Sequence, residues 1–386
     1  MNNFDFYNPV KILFGKGKIA DIRDHIPTNA NILITYGGGS IKKNGILDQV
    51  HAALKGYKYH EFGGIEPNPA FETLIKAVEV VKENNITYLL AVGGGSVIDG
   101  TKFIAAAAMY DGENSYEICS KQMPVIDALP MATVLTLPAT GSEMNMNAVI
   151  TRRSTQEKFA FYSPLVMPKF SVLDPEATFS LPKHQIANGV VDAFIHVLEQ
   201  YLTYPTNSRV QDSFAEGVLK TLITEGTKAY EEDIPDYENR ANFMWAATMA
   251  LNGLLSCGVI TDWSTHKIGH ELTALHGLDH AVTLSIVLPG VLNQVKEQRN
   301  IKLLQFARNV WDIKEENEEE AIKNAIAKTE LWFNELGIKT HLSDYKINKE
   351  TIDIIEGRFI ERGDKYIGFA SDIKVADLQE ILISRL

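Results

Sequence analysis

Asp192 and His196 stand four residues apart in the segment running from Asn188 to His196. On a helix that spacing puts both side chains on one face, one turn apart. Val190, Phe194 and Val197 make the rest of the segment apolar, so the pair is expected to be partly buried. A buried carboxylate needs a partner, and a metal ion is one. Four of the ten histidines, His266, His270, His276 and His280, fall between Thr265 and Ala281. His266 and His270 repeat the i, i+4 spacing, and a turn over Gly277 to Asp279 can bring His280 back towards them. A single histidine is more often a packing residue than a ligand. Four in so short a stretch, together with an Asp-x-x-x-His pair, point to a metal site. One carboxylate with two or three imidazoles suits Fe(II), Zn(II), Mn(II) or Ni(II), and affinity order does not choose among them. Spacing leaves open whether His270 or His280 completes the set.

A second constellation is made of glycines. Gly93-Gly94-Gly95-Ser96 lies between an apolar run, Thr87 to Val92, and an alanine-rich segment, Val97 to Met109. Glycine lets backbone approach a ligand closely, and a helix start offers N–H groups and partial positive charge, which suits a pyrophosphate. The alternative is a tight turn with no ligand. Neither GxGxxG nor a following GK[ST] is present, so neither the ordinary dinucleotide fingerprint nor a Walker loop applies. Gly37-Gly38-Gly39-Ser40 ends another apolar run, Ala30 to Tyr36. Dinucleotide folds usually place there an acidic residue for the ribose 2′-hydroxyl. Here no carboxylate stands to repel a 2′-phosphate, and Lys42 and Lys43 follow, so the pattern leans towards NADP(H). Thr136, Thr140 and Ser142 flank a third strand end and add hydroxyls that suit either a cofactor wall or a turn. A cation beside a nicotinamide would polarise an aldehyde oxygen as a Lewis acid. The nicotinamide C4 would deliver hydride, and a nearby histidine or water would relay the proton.

These residues need a scaffold. Apolar runs at Ala30 to Tyr36, Thr87 to Val92 and Ala132 to Leu137 read as buried strands, and Phe71 to Asn84 carries Leu74, Ala77, Val78 and Val81 at helical spacing. Such alternation implies crossover units and a parallel sheet. After Leu181-Pro182 the pattern turns helical: Ile186 to Thr203, Arg209 to Glu225, Asn239 to Leu255 and Thr265 to Leu275 are the clearest helices. The expected architecture is an α/β domain with a parallel sheet and Rossmann-like nucleotide binding over residues 1–180. An all-α metal-binding and substrate domain over residues 181–386 would follow it. Ligands of such sheets sit beyond the carboxyl ends of the strands, so the active site is expected in the interdomain cleft. Glu315 to Glu320 reads as a solvated helix start.

Composition bounds the class. The 386 residues are 45% hydrophobic and 22% charged, the profile of a globular protein with a sizeable core. A formal net charge of -12 argues against a nucleic-acid or anionic-membrane partner. Cys119 and Cys257 are far apart and in no CxxC motif, which argues against a disulfide framework or thiolate zinc site. The N-terminus lacks a signal-peptide pattern and no apolar run reaches membrane-span length, so a cytoplasmic enzyme is expected.

The motifs together resemble the iron-containing, or group III, alcohol dehydrogenases. They are GGGSVIDGTKF from Gly93, LPATGSE from Leu137, VLDP from Val172, NGVVDAFIHVLEQY from Asn188 and HKIGHELTALHGLDHA from His266. LITYGGGS from Leu33 and GGIEPNPAFETL from Gly63 are similar to the NADPH-dependent aldehyde reductase and butanol dehydrogenase branch. The resemblance implies Asp192, His196, His266 and His280 as ligands to iron or zinc, and His270 as the proton-relay or positioning residue. It implies Gly38, Gly39 and Ser40 for the 2′-phosphate and Gly94, Gly95 and Ser96 for the pyrophosphate, with Asp99 one turn into the next helix. Asn68, Thr136, Thr140, Asn147 and Lys158 match family positions that touch the cofactor. A homodimer acting on small aldehydes and alcohols is also implied. Relatives of dehydroquinate synthase and glycerol-1-phosphate dehydrogenase share the scaffold but need several cations for a phosphorylated substrate. Here Lys183 and Lys267 are the only bases near the ligand helices, and Phe159, Phe161, Trp263 and Leu272 suggest an uncharged substrate. A non-catalytic nucleotide-binding regulator would have no use for four metal ligands.

Overall fold

Apolar residues run almost continuously along Asn31–Tyr36, Tyr88–Gly94 and Met131–Leu137 because a sheet covered on both faces must bury both sets of side chains. The computed structural model describes residues 1–386. Its strands are β1 (Lys11–Phe14), β2 (Asn31–Tyr36), β3 (Lys58–Phe62), β4 (Tyr88–Gly94), β5 (Met131–Leu137), β6 (Asn147–Arg152), β7 (Glu157–Tyr162) and β8 (Phe170–Leu173). Six of them form one sheet in the order β1-β8-β5-β4-β2-β3, with every pairing parallel. β6 and β7 pair separately as an antiparallel hairpin, which the apolar pattern did not foreshadow. Ile32, Ile34, Leu90, Val92, Ala132 and Val134 face one apolar layer. Their neighbours Leu33, Leu89, Ala91 and Leu135 face the other. Helices α1 (Ser40–Lys43), α2 (Ile46–Ala53), α3 (Phe71–Asn84), α4 (Gly95–Ala107) and α5 (Glu117–Ser120) complete this part of the chain. Ile46 and Val50 of α2 close the first layer, and Leu74 and Val78 of α3 with Ile98 and Phe103 of α4 close the second.

The rest is helical: α6 (Lys183–Tyr201), α7 (Arg209–Thr221), α8 (Thr227–Glu231), α9 (Tyr237–Ala250), α10 (Ser264–His276), α11 (His280–Gln294), α12 (Asn300–Asn309), α13 (Glu318–Glu335), α14 (Lys349–Glu361) and α15 (Leu378–Ile383). The acidic run does open α13, where Asn317 accepts a hydrogen bond from the Glu320 amide. By compactness the chain forms two units. One comprises Tyr7–Pro182 with Glu232–Thr248; the other comprises Met1–Phe6, Lys183–Glu231 and Met249–Leu386. Most of α9 therefore belongs with the sheet unit. In the helical unit, Ile268 and Leu272 of α10, Ile286 and Val287 of α11, Ile352 and Ile355 of α14 and Leu382 of α15 share one core. A second nucleus gathers Trp332 and Phe333 of α13 around Phe194 of α6. No helix is long and apolar enough to cross a membrane.

Candidate active site

Asp192, His196 and Glu199 lie at i, i+4 and i+7 on α6, one face of the helix, and all three are buried. The first turn of α10 delivers His266, and the turn over Gly277, which adopts φ +68°, lets α11 begin at His280. The Asp192 Oδ1 oxygen is where they meet. His196 Nδ1 lies 3.7 Å from it, His280 Nε2 3.9 Å and His266 Nε2 4.0 Å. Ligand atoms on a tetrahedral ion with bonds of ~2.1 Å stand ~3.4 Å apart, so the observed spacings leave room for one ion. The donor atoms of Asp192, His196 and His266 all lie within 4.8 Å of one another. Asp192 Oδ1 is buried and accepts no hydrogen bond, a costly arrangement for a carboxylate unless a cation completes it. The residues present thus fit a divalent ion. His270 stands beside this set, its ring 5.1 Å from that of His280 and 6.2 Å from that of His266. His276 is not among them: it is exposed at the end of α10, and its Nε2 pairs with Thr351 Oγ1 at 3.0 Å.

Two neighbours shape the cluster. Glu199 pairs with His266 Nδ1 and accepts from the backbone N–H groups of Thr265 (2.7 Å) and His266 (3.2 Å). Burial pushes the Glu199 carboxyl up to about 7, against the opposing effect of those two N–H donors. Trp263 precedes α10 with φ +74°, a left-handed conformation that is strained for a bulky residue and tends to persist where surroundings impose it. They do so here. Asp262 N–H donates to the Glu199 carbonyl at 2.9 Å, and Arg299 holds the Asp262 carboxylate at 3.0 Å. The Trp263 ring consequently lies 5.3 Å from His266 and 6.1 Å from His196.

In the sheet unit the glycines behave differently from the loop expected. β4 runs through Gly94 and α4 starts at Gly95, so no separate glycine loop intervenes. Packing also requires these glycines. A Cβ at Gly93 would sit 2.6 Å from Val97, at Gly94 2.9 Å from Leu137, and at Gly95 2.5 Å from Thr140. The glycine run is therefore not in itself a sign of ligand, because close strand-to-helix packing explains it. What remains in favour of an anion is the N-terminus of α4, which has no side-chain cap and keeps its N–H donors for a ligand. Ser96 is in that first turn and Thr136 is buried at the end of β5.

Asp99 of α4 accepts from Ser142 Oγ (2.6 Å) and from Val149 N–H (2.9 Å). Ser142 N–H donates to Thr140 Oγ1 at 3.2 Å. Lys102, fully buried one turn on, donates to the Asn145 carbonyl, the Asn145 side chain and the Asn147 carbonyl at 2.9, 3.0 and 2.8 Å. Lys158 of β7 donates to Asn68 Oδ1 at 2.9 Å, and Asn68 holds φ +55°. Helix α4 thus carries both the glycine start and the side chains that hold Ser142, Asn145 and the β6 strand of the hairpin. Lys102 gives no sequence signal apart from being a lysine in an apolar helix.

Gly38 and Gly39 have open space around them, and Gly39 has φ +95°; Ser40 begins α1 and is exposed. Lys42 is not an uncommitted cation. Its Nζ lies 4.0 Å from Glu61 and 4.8 Å over the Tyr36 ring. Glu61 also accepts from Tyr36 OH at 3.1 Å and pairs with His51 at 2.9 Å. The carboxylate absent from the end of β2 thus enters from β3, where Glu61 is in register with Ile34. Two of the expected substrate neighbours are core residues instead. Phe161 packs edge-on against Phe103, and Leu272 is fully buried among α10, α11 and α14. Both sit on the inward face of their element, which position along the chain does not reveal.

A parallel-sheet unit with an uncapped glycine-rich helix start, and a helical unit with a histidine-carboxylate cluster, define a class of metal-dependent oxidoreductase. The model of the iron-containing alcohol dehydrogenase family matches residues 9–175. That of the C-terminal part of the Fe-containing alcohol dehydrogenase family matches residues 186–370. The chain belongs to the iron-containing alcohol dehydrogenase family and is an enzyme of that alcohol dehydrogenase class. It is 55% identical over 377 residues to the NADPH-dependent aldehyde reductase YqhD of Escherichia coli K12, covering 97% of each chain. It is 40% identical to the NADH-dependent butanol dehydrogenase A of Clostridium acetobutylicum, covering 99% of each. The crystal structure of Escherichia coli K-12 YqhD superposes with a TM-score of 0.98 at 53% identity, over 100% of this chain and 99% of that one.

Proposed function

We propose that this chain reduces small aldehydes to primary alcohols, and catalyses the reverse oxidation, with NADP(H) and one divalent ion held by Asp192, His196, His266 and His280. The observation that carries the reading is the approach of three imidazole nitrogens to the buried Asp192 Oδ1. Iron(II) and zinc(II) both suit one carboxylate and three imidazoles. When bound, the ion supplies Lewis acidity towards a carbonyl oxygen, and the nicotinamide supplies the hydride. The chain's own groups do the rest. Gly94, Gly95 and Ser96 offer the start of α4 to a pyrophosphate, and Gly38, Gly39 and Ser40 receive the 2′-phosphate. Asn68, Thr136, Thr140, Asn147 and Lys158 line the cofactor, with Asp99 holding their segment. His270 holds and relays the proton. Lys183 donates to the Glu231 carbonyl and Lys267 lies over the Phe369 ring, which favours an uncharged substrate over a phosphorylated one. The 55% identity to an NADPH-dependent reductase supports NADP(H) over the NADH of the more distant butanol dehydrogenase. A homodimer and a cytoplasmic location rest on the family resemblance.

The test compares wild type with His280→Ala by elemental analysis and by the loss of NADPH absorbance with butanal. Wild type should carry metal and turn over; the variant should lose both. Full metal content and full activity in the variant would refute the ligand set. NADPH binding without turnover in wild type would favour a nucleotide-binding regulator.

A further inference from the structure

We propose that Glu199 is a positioning residue of the metal centre: by holding His266 Nδ1 it sets the tautomer and direction in which His266 Nε2 meets the ion. The inference rests on the metal reading above. His266 has two ring nitrogens, and only an unprotonated one can bind a metal. Which one is unprotonated is set by the partner of the other. Glu199 engages His266 Nδ1, and its backbone contacts leave it no freedom to turn away. Oε1 accepts from Thr265 N–H at 2.7 Å and Oε2 from His266 N–H at 3.2 Å. A carboxylate so placed accepts the Nδ1 proton. Nε2 is then the nitrogen that carries the lone pair, and it is the one facing Asp192 Oδ1 at 4.0 Å. The same carboxylate satisfies the first amides of α10, so it fixes both the helix start and the ring.

Position along α6 makes this economical. Glu199 follows Asp192 by seven residues and His196 by three, so one helical face carries two ligands and the group that aims a third. The Glu199 backbone takes part as well, its carbonyl accepting from Asp262 N–H at 2.9 Å. Replacing the carboxylate by an amide keeps the shape and an acceptor for one backbone N–H. It removes the second acceptor oxygen, so an NH₂ faces Nδ1 and favours the opposite tautomer, with the proton on Nε2.

The experiment strips the full-length chain of metal and titrates wild type and Glu199→Gln with Co²⁺, following the visible d–d bands and competition with a chelator. We expect 10- to 100-fold weaker Co²⁺ binding in the variant, the range typical of such supporting groups, and altered d–d bands, with the melting midpoint of the metal-free chain within a few degrees of wild type. In a double-mutant cycle, Glu199→Gln should add nothing to the effect of His266→Ala. Wild-type affinity and spectrum in the variant, or a full additive loss on top of His266→Ala, would overturn the proposal. Should the variant fail to fold, ¹⁵N-histidine spectra of the metal-free wild type decide. His266 is identified there as the resonance missing from His266→Ala. An Nδ1–H tautomer supports the assignment, and an Nε2–H tautomer refutes it. If wild type itself binds no Co²⁺, it is the metal reading that falls.

Discussion

Gly38→Asp tests where the 2′-phosphate sits. Gly38 is exposed, its φ is not in the left-handed region, and no atom lies within 4 Å of an added Cβ. An aspartate therefore fits without backbone or steric cost. Its carboxylate would stand near the 2′-phosphate expected at Gly38, Gly39 and Ser40. Two like charges ~4 Å apart repel by ~4 kcal/mol at an effective dielectric of ~20. Exposure of the site lowers that figure, so a loss of ~2 kcal/mol is expected, or roughly thirtyfold in NADPH affinity at ~1.4 kcal/mol per decade. NADH has a free 2′-hydroxyl that can donate to the new carboxylate, so its use should hold or improve. The assay is kcat/KM for NADPH and NADH with one aldehyde in both proteins. Gly39→Asp is the contrast: its φ of +95° adds roughly 1–2 kcal/mol of backbone strain, so the melting midpoint should fall there and not in Gly38→Asp. Equal losses with the two cofactors in Gly38→Asp, or a wild type that prefers NADH, would refute the placement.

Other residues give independent checks. His270→Ala should keep its metal and lose turnover by roughly 10²- to 10⁴-fold, whereas His276→Ala, paired with Thr351 on the exposed end of α10, should keep both; metal analysis with kcat separates the outcomes. Gly95→Ala puts a Cβ 2.5 Å from Thr140 Oγ1 and Cγ2, an overlap worth roughly 1–3 kcal/mol, and should lower the melting midpoint; Thr140→Ala in the same chain removes those two atoms and should recover part of the loss, less the lost Ser142 N–H acceptor, and a midpoint unchanged in Gly95→Ala would contradict the packing argument. Burial lowers the Lys102 ammonium to about 8 from 10.5. Between those values the unfolded chain binds the extra proton, so this lysine makes stability rise with pH there, with no slope from it below about 8. The unfolding free energy of wild type relative to Lys102→Met should increase by roughly 1–2 kcal/mol from pH 8 to 9.5. Denaturant titrations at the two pH values measure it, and a flat or falling difference would show that Lys102 stays charged.

Much of this was readable from the chain because the relevant signals are local. Short continuous apolar runs and helical spacing in Phe71 to Asn84 specify strands and a helix without knowledge of partners, since each element must bury one face or two. The Asp-x-x-x-His spacing likewise specifies a shared helix face, and a short turn keeps His280 near His266. Residues contributed by distant segments were not readable. Glu61 reaches Lys42 only because β3 lies beside β2 in register. The hairpin of β6 and β7 is held by Asp99 and Lys102 from another helix. Phe161 and Leu272 look like pocket residues until packing turns them into the core. Glu199 was within sight of Asp192 along the sequence, yet its partner His266 is 67 residues away. The sequence alone determined the elements and the residue types able to bind an ion and a nucleotide, because helix and strand periodicity act over a few residues. Tertiary structure alone decided which nitrogen of which histidine faces Asp192, why Gly95 must be glycine, and that Glu232–Thr248 joins the sheet unit, because those depend on contacts that chain closure brings together.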